Sequence, residues 1–184
     1  MNMLVAIAIA ALAVIWLGYT YNRFVRGRNM IREAWSGIDV QLKRRHDLIP
    51  NLVESVKGYS KHEQQLYTGL ADSRAKSVQT KGVAERGEIE NAISGQLKSL
   101  FAVAEAYPEL KAQENFLALQ KSLTEIEDQI QYARRYYNAV VRDYNIRVQS
   151  FPSLICASLF GFKSAEYFEL EFATEREAVK AEFP

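Results

Sequence analysis

The feature that most constrains this chain is an uncharged, largely apolar run near its start, MLVAIAIAALAVIWLGYTYN, residues 3–22. In a helix, about 20 residues span the ~30 Å hydrocarbon core of a bilayer. An isolated segment satisfies its backbone hydrogen bonds there only as a helix. The sequence therefore predicts a transmembrane anchor over residues 1–22, with Trp16 and Tyr19 at the membrane–water interface, where these residue types concentrate.

The alternative for this run is a cleaved signal peptide. Such a peptide needs a basic n-region, a shorter apolar stretch and small residues at the cleavage site. The first two residues carry no basic side chain, and the apolar run continues to Trp16 and Tyr19. A lipoprotein signal is also missing, because Cys156 is the only cysteine. We therefore expect an uncleaved, single-pass anchor.

Four arginines follow the run directly: Arg23, Arg26, Arg28 and Arg32. Basic side chains concentrate on the cytoplasmic side of membrane proteins. The sequence therefore predicts an N-terminus outside the membrane and a domain of residues 23–184 in the cytoplasm. The same arginines are also able to bind the anionic headgroups of the cytoplasmic leaflet.

The rest of the chain predicts long helices, because apolar residues recur at alternating steps of four and three. The first heptad pattern comprises Ile31, Trp35, Ile38, Leu42, Ile49, Leu52, Val56, Tyr59, Leu66 and Leu70, with Arg45 and Glu63 at its polar positions. The second comprises Ile89, Ile93, Leu97, Leu100 and Ala104, and the third comprises Phe116, Leu119, Leu123, Ile126, Ile130, Ala133, Tyr137, Val140 and Tyr144. Strand signals are absent, so we expect an all-α fold, an elongated antiparallel helical bundle with coiled-coil packing.

Glycine and proline predict where these helices end. Gly82 and Gly87 separate the first two helices after the anchor, Pro108 precedes the third, and Pro152 ends it. Pro50 lies inside the first heptad pattern without changing its register, so we expect a kink there and not a boundary. Beyond these, Ser164 is suited to cap a last, acidic helix.

One stretch resembles a metal site and lacks a ligand. His62 and Glu63 match the start of the H-E-x-x-H motif of zinc proteases, but Leu66 stands where the second histidine is required. The other histidine, His46, lies about 24 Å away if one continuous helix joins the two. We therefore expect no catalytic residue, metal or cofactor, and an enzyme using His46, His62 or Glu63 is the weakest of the functional hypotheses.

Two basic clusters, Arg44-Arg45-His46-Asp47 and Arg134-Arg135, permit two interpretations. The first is a nucleic-acid or anion surface, in which arginines neutralise phosphates and neighbouring tyrosines stack on bases. The second is an internal network, since Arg45 and Arg147 occupy heptad positions where an unpaired charge is costly. With a net charge of only +1, we favour the network and expect no nucleic-acid partner. The expected acidic partners are Asp39, Asp47 and Asp143.

The apolar segment FPSLICASLFGF, residues 151–162, exceeds what an inter-helix turn needs. It either caps the end of the bundle as a small core or stays partly exposed as a docking site for a protein or a bilayer. If successive helices alternate in direction, the segment lies far from the membrane, which favours a protein contact. Its interaction candidates are Phe151, Leu154, Phe160 and Phe162.

Three segments resemble a known family: AWSGIDVQLKRRHDLIPNLVESVKGYSKHE (34–63), YPELKAQENFLALQKSLTEIEDQIQYARRYYNAVVRDYN (107–145) and FPSLICASLFGFKSAEYFE (151–169). In this order behind a short anchor, they closely resemble the LemA family. The resemblance implies a small protein of the bacterial cytoplasmic (inner) membrane with an N-terminal anchor and a cytoplasmic helical bundle. It implies no catalytic residues, because the biochemical role of the family is not established.

These observations favour a membrane-anchored, non-enzymatic scaffold or adaptor. The alternative is a self-assembling structural protein that acts in envelope stress or membrane remodelling. The expected partners are the bilayer, a further copy of the chain and an unidentified protein. Homo-oligomerisation is expected because aromatic side chains near the edges of the heptad patterns exceed what a thin bundle covers. These are Tyr59, Tyr67, Tyr132 and Tyr136.

Overall fold

The computed structural model describes residues 2–59 and 63–168, apart from the side chain of Asn2. Within these residues the regular secondary structure consists of helices and no strands, which confirms the predicted all-α fold. The helices are α1 (Asn2–Lys57), α2 (Gln64–Gln79), α3 (Val83–Glu105), α4 (Pro108–Lys111), α5 (Glu114–Gln149) and α6 (Ser153–Phe160).

Helix α1 is 56 residues long and contains both the uncharged run and most of the first heptad pattern. It continues through Pro50, so the prediction that this proline lies inside a helix is confirmed. The heptad pattern wrongly predicts that the same helix continues to Leu70. The chain instead turns at Gly58 and Tyr59, where the Tyr59 amide donates to the Val56 carbonyl at 2.9 Å. Glycine is a weak helix former, which favours an end at this point.

The other boundaries agree in part with the predictions. Gly82 is the N-cap of α3, in agreement with the prediction that it lies between two helices. Gly87 was predicted to lie there too, but it is buried inside α3. Pro108 begins the short α4, and Pro152 is the N-cap of α6 after α5 has ended. A helix capped by Ser164 is not observed, because residues 162–168 are not helical; its continuation, 169–184, lies outside the described residues.

The chain divides into two compact units that share α1 and α5. Unit 1 combines the residues up to Val40 with Ile130–Tyr167, and unit 2 contains Gln41–Gln129. Each unit has a hydrophobic core of its own.

The core of unit 2 consists largely of the predicted heptad residues. Its buried members are Ile49, Leu52, Val56, Tyr67, Leu70, Ile93, Leu97, Leu100, Ala104, Leu110, Phe116 and Leu123. Full burial of a large apolar side chain contributes about 1.5–3 kcal/mol, so this cluster stabilises the unit. Tyr67 is 4% exposed, so the prediction that it lies on an aromatic outer surface is wrong.

The core of unit 1 brings α1 against α5 and α6. Phe24 contacts Tyr144 edge to face, with ring centroids 6.0 Å apart, and Trp35 contacts Tyr137 in the same way at 5.6 Å. From the first contact to the second, the residue number increases along α1 and decreases along α5. The two helices are therefore antiparallel in this unit. Gly27 allows their close approach, since a Cβ there would lie 2.8 Å from Tyr144 Cδ2.

We predict that Leu52→Ala lowers the free energy of unfolding by about 2–5 kcal/mol, because Leu52 is fully buried and its truncation leaves a cavity. Val78→Ala in the same unit is the matched control; Val78 is 67% exposed, and its truncation should change stability by no more than about 0.5 kcal/mol. Denaturant unfolding of the full chain in mild detergent measures both. Equal effects would contradict the assigned core.

Candidate functional site

The first part of α1 exposes an unusual amount of apolar surface. Every residue from 3 to 15 is exposed, with Leu4 at 71% and Leu12 at 66%. Soluble monomers rarely expose an apolar patch of this extent. By length and composition, α1 is the one helix of residues 2–59 and 63–168 that is able to cross a membrane.

The predicted interface residues follow at the end of this run. Trp16 is partly buried, whereas Tyr19 is 62% exposed. The Arg23 guanidinium lies 5.9 Å from the centroid of the Tyr19 ring, within the range of a cation–π contact. An aromatic residue paired with an arginine in this way is suited to the headgroup region.

The other three arginines lie further along α1. Arg26 is exposed, and Arg28 lies 5.8 Å from the centroid of the Phe162 ring. Arg32 is exposed and donates to Asn29 Oδ1 at 2.6 Å. Their positive charges are therefore available at the surface of unit 1.

The segment of residues 151–162 does not lie far from the uncharged run, so that prediction is wrong. Phe160 and Phe162 contact Tyr21 edge to face, with centroid distances of 5.0 and 5.5 Å, and Phe162 stacks on Phe24 at 4.7 Å. The physical reason is that α5 runs antiparallel to α1 within unit 1. The heptad patterns miss the turn at Gly58 and so predict one helix fewer before α5.

Part of this segment is buried and part of it is exposed. Phe162 is 7% exposed and lies in the core of unit 1 with Cys156 and Ala157, as a bundle cap requires. The other interaction candidates face outward: Phe151 is 82% exposed, Leu154 47% and Phe160 49%.

A buried charge network lies in unit 2 around Arg45, which is 1% exposed. Its Nη1 donates to Glu127 Oε2 at 2.5 Å and to Ser94 Oγ at 2.8 Å. Its Nη2 donates to Glu90 Oε2 and, at 3.3 Å, to the Glu90 carbonyl. Ser94 Oγ in turn donates to Glu127 Oε1 at 2.8 Å, so the partners of Arg45 are themselves linked.

Glu90 is the acidic centre of this network and is 3% exposed. Its Oε1 accepts a hydrogen bond from Ser77 and lies 3.0 Å from His46 Nε2, close enough for an ion pair although the angle is poor for a hydrogen bond. Burial alone raises the pKa of Glu90, but His46, Arg45 and Ser77 outweigh it and lower the pKa from 4.5 to about 2. Glu90 is therefore ionised at neutral pH.

The expectation of an internal network around Arg45 agrees with this geometry, but its expected partners are wrong. Asp47 is exposed and lies two residues from Arg45, a spacing that places side chains on different faces of a helix. Asp143 is exposed and pairs with Arg142 at 3.1 Å. The carboxylates that pair with Arg45 are Glu90 and Glu127, and neither is among the expected partners.

The second basic cluster faces outward in part. The Arg135 guanidinium lies 4.6 Å from the centroid of the Tyr132 ring, and Tyr136 is 55% exposed. Arg134 is half-buried and donates to Gln131 Oε1 at 2.5 Å. Tyr137 is buried and donates to the Glu166 carbonyl at 3.0 Å.

The zinc motif requires its glutamate inside a helix, but Glu63 precedes the first residue of α2. Glu63 is the N-cap of α2, where its carbonyl accepts bonds from the Leu66 and Tyr67 amides at 3.0 and 3.2 Å. His46 is buried against Glu90, and His62 lies outside the described residues. Within the described residues, no three His, Cys, Asp or Glu side chains are placed to hold a metal ion.

The sequence of residues 34–183 matches the family model described as the LemA family. The chain belongs to the LemA family. Similar proteins include magnetosome protein MamQ 2 of Paramagnetospirillum magneticum, 28% identical with 81% of this chain and 64% of the relative covered. MamQ of Magnetospirillum gryphiswaldense is 25% identical, with 80% and 64% covered. Protein LemA of Metamycoplasma hominis is 28% identical, with 71% and 60% covered.

This LemA-family chain thus spans less than two thirds of the length of the relatives it matches. The matched region begins at Ala34, after the uncharged run and its four arginines, and includes the network around Arg45. Family membership therefore rests on the two helical units and not on the N-terminal run.

We predict that acid destabilises this LemA-family protein through Glu90. The pKa of Glu90 is lower in the folded state than its ordinary 4.5, so the folded state binds fewer protons. The resulting stabilisation, about 3 kcal/mol, is present above pH 4.5 and is lost progressively as the pH falls through about 2. Urea unfolding of the full chain in detergent across this range measures the loss.

The matched variant is Glu90→Gln, which keeps the shape of the side chain and removes its charge. It should lower stability at pH 7 and flatten the acid limb, because the titrating group is gone. Asp47→Asn, an exposed acid two residues from Arg45, is the control and should leave the limb unchanged. If the wild type and Glu90→Gln lose stability in parallel below pH 4.5, the assignment to Glu90 fails.

Proposed function

We propose that this protein is a membrane-anchored, non-enzymatic scaffold or adaptor, with residues 1–22 as the anchor and residues 23–184 as its cytoplasmic part. The observation that carries this proposal is the continuity of α1, which joins the exposed uncharged run to the core of unit 1 without a break. A bilayer that holds residues 3–22 therefore also holds unit 1, because Phe24, next to the run, is already part of its core.

The orientation follows from the charges beside the run. Arg23, Arg26, Arg28 and Arg32 are exposed within about three helical turns of its end. Such a cluster favours the cytoplasmic side. We therefore propose the bacterial inner membrane as the location, with the N-terminal end of α1 outside and both units in the cytoplasm.

A structural role is favoured over catalysis by how the reactive side chains are used. Arg45, His46 and Glu90 are buried and engaged with one another, so they fix the packing of helices and do not face a substrate. Three of the relatives carry names that assign them to the magnetosome, which supports a role in a cellular assembly. The alternative of a self-assembling structural protein of the envelope fits the same observation.

Self-association is proposed for the outer face of α5 in unit 1. Tyr132, Tyr136 and Ile146 are 61%, 55% and 54% exposed and share one side of the helix, given about 100° per residue. Tyrosine is enriched in protein interfaces because it offers a large rigid surface with a polar end. We propose that two copies of the chain meet through this face.

We predict that charges in the middle of the run release the protein from membranes. Ile9→Lys with Leu12→Lys should move it to the soluble fraction, because each lysine at the centre of a span costs about 2.5–3.5 kcal/mol. Val78→Lys, at a residue of unit 2 with similar exposure, is the control and should stay in the membrane fraction. Alkaline extraction of membranes measures this, and release of the wild type would contradict the anchor.

We predict that a reporter fused to the C-terminus is active only in the cytoplasm. The four exposed arginines after the run resist translocation, so they and the residues that follow them should stay on the cytoplasmic side of the membrane. The control fusion adds a further transmembrane segment before the reporter, which should reverse the result. Activity of the direct fusion on the outer side alone would contradict the proposed orientation.

We predict that Tyr132→Ser with Tyr136→Ser shifts the protein toward the monomer, because it removes the aromatic surface of the proposed contact. Val78→Ser with Leu117→Ser replaces exposed apolar side chains of unit 2 and is the control. Light scattering in mild detergent over a range of concentrations measures the mass. A wild type that is monomeric throughout would contradict self-association.

A further inference from the structure

Helix α6 presents an apolar outer face that unit 1 does not cover. Leu154, Ile155 and Leu159 are 47%, 54% and 67% exposed and point away from the buried Cys156 and Ala157. Phe151, which precedes α6, and Phe160, on the other side of the helix, are also exposed. Residues 151–162 contain no charged side chain, so water is a poor environment for the whole segment.

The position of α6 identifies what covers this face. Phe160 and Phe162 contact Tyr21, which belongs to the uncharged run of residues 3–22. Phe162 also stacks on Phe24, one residue beyond Arg23. Helix α6 therefore lies beside the end of the anchor, where Tyr19 and Tyr21 are themselves 62% and 40% exposed.

The residues between α6 and the anchor match the chemistry of a membrane surface. A cavity of about 230 Å³ lies there. It is lined by Trp16, Tyr19, Thr20, Arg23, Phe24, Arg147, Pro152 and Ser153. Tryptophan and tyrosine favour the level of lipid headgroups, and arginines there bind phosphates while their stems stay in apolar surroundings.

We propose that α6 lies in the boundary between headgroups and acyl chains of the same bilayer that the anchor crosses, as a second membrane contact of unit 1. The inference rests on the proposed anchor and extends it. A short helix with an apolar face and basic flanks is suited to this depth. The flanks are supplied by Arg23 and Arg147 at the cavity and by Arg28 against Phe162.

This second contact changes what the anchor is able to do. One transmembrane helix leaves the protein free to rotate about the helix axis and to tilt. A second apolar contact beside the first removes most of that freedom, because rotation would lift Leu154, Ile155 and Leu159 out of the bilayer. Unit 1 would then present a constant face, including Tyr132 and Tyr136, to partners along the membrane.

The test uses nitroxide labels on cysteines of the full chain in vesicles of phosphatidylethanolamine and phosphatidylglycerol. Leu159→Cys and Leu154→Cys report on α6, Leu12→Cys on the anchor, and Val40→Cys on a matched exposed apolar site of unit 1. Val40 lies about 27 Å along α1 from residue 22. Power saturation compares collisions with oxygen, which concentrates in the bilayer, and with a water-soluble nickel chelate.

We expect labels on α6 and at Leu12 to collide severalfold more with oxygen than with the chelate, and the label at Val40 to show the reverse. If the labels on α6 collide mainly with the chelate while the label at Leu12 collides mainly with oxygen, the second contact is overturned and the anchor stands. An aqueous result at Leu12 overturns the proposed anchor itself. Labels on α6 that are shielded from both reagents and broadened by a second nitroxide indicate a second copy and also overturn the proposal.

The native Cys156 is a further cysteine, and it is fully buried. The labels are therefore placed in two versions of the chain, one that retains Cys156 and one that carries Cys156→Ala. Agreement between the two sets shows that the replacement has not displaced α6. If the labels on α6 give an aqueous result only in the Cys156→Ala background, the replacement has disturbed α6. The result from the chain that retains Cys156 then decides for or against the proposal.

Discussion

The rest of the structure depends on the continuity of α1 from Asn2 to Lys57. Its first twenty residues have no charged side chain and are exposed from residue 3 to residue 15, whereas from Phe24 onward one side of the same helix is buried at heptad spacing. A helix satisfies its own backbone groups in lipid and in a protein core, so the proposed passage of α1 from the bilayer into unit 1 needs no break. In the proposed arrangement, the helices that pack on α1 in unit 1 take their place relative to the bilayer from α1.

The network around Arg45 plays a different part. Placing a guanidinium in a core at 1% exposure is costly, and its partners Glu90 and Glu127 offset that cost without adding much net stability. Such a network does penalise wrong arrangements, because any shift of α3 along α1 leaves a buried charge unpaired. Register is therefore the property that the network controls, which suits the proposed role as a scaffold.

The sequence is informative where contacts are local and weaker where they are long-range. Heptad spacing identifies Leu52 and Ile93 as core residues, because a helix with apolar residues at this period has only one face to bury. Glu90 was predictable too: the same alternation of steps, continued backward from Ile93, reaches it. That Arg45 pairs with Glu90 and not with Asp47 was not predictable, because this pairing depends on the contact between α1 and α3. The prediction for the position of α6 was wrong for a related reason, because the heptad pattern does not show that α1 ends at Lys57 and that a further helix follows.

The most direct test of the central claim is the distance between nitroxide labels at Leu12→Cys and Val40→Cys, measured by pulsed electron spin resonance on the full chain in lipid nanodiscs. Both side chains are exposed, and both lie in unit 1. An unbroken helix separates their Cα atoms by about 42 Å at about 1.5 Å per residue. A narrow distribution near that distance is the expected result. A broad distribution centred well below it would show that α1 breaks at the membrane and would contradict a rigid connection between the anchor and unit 1.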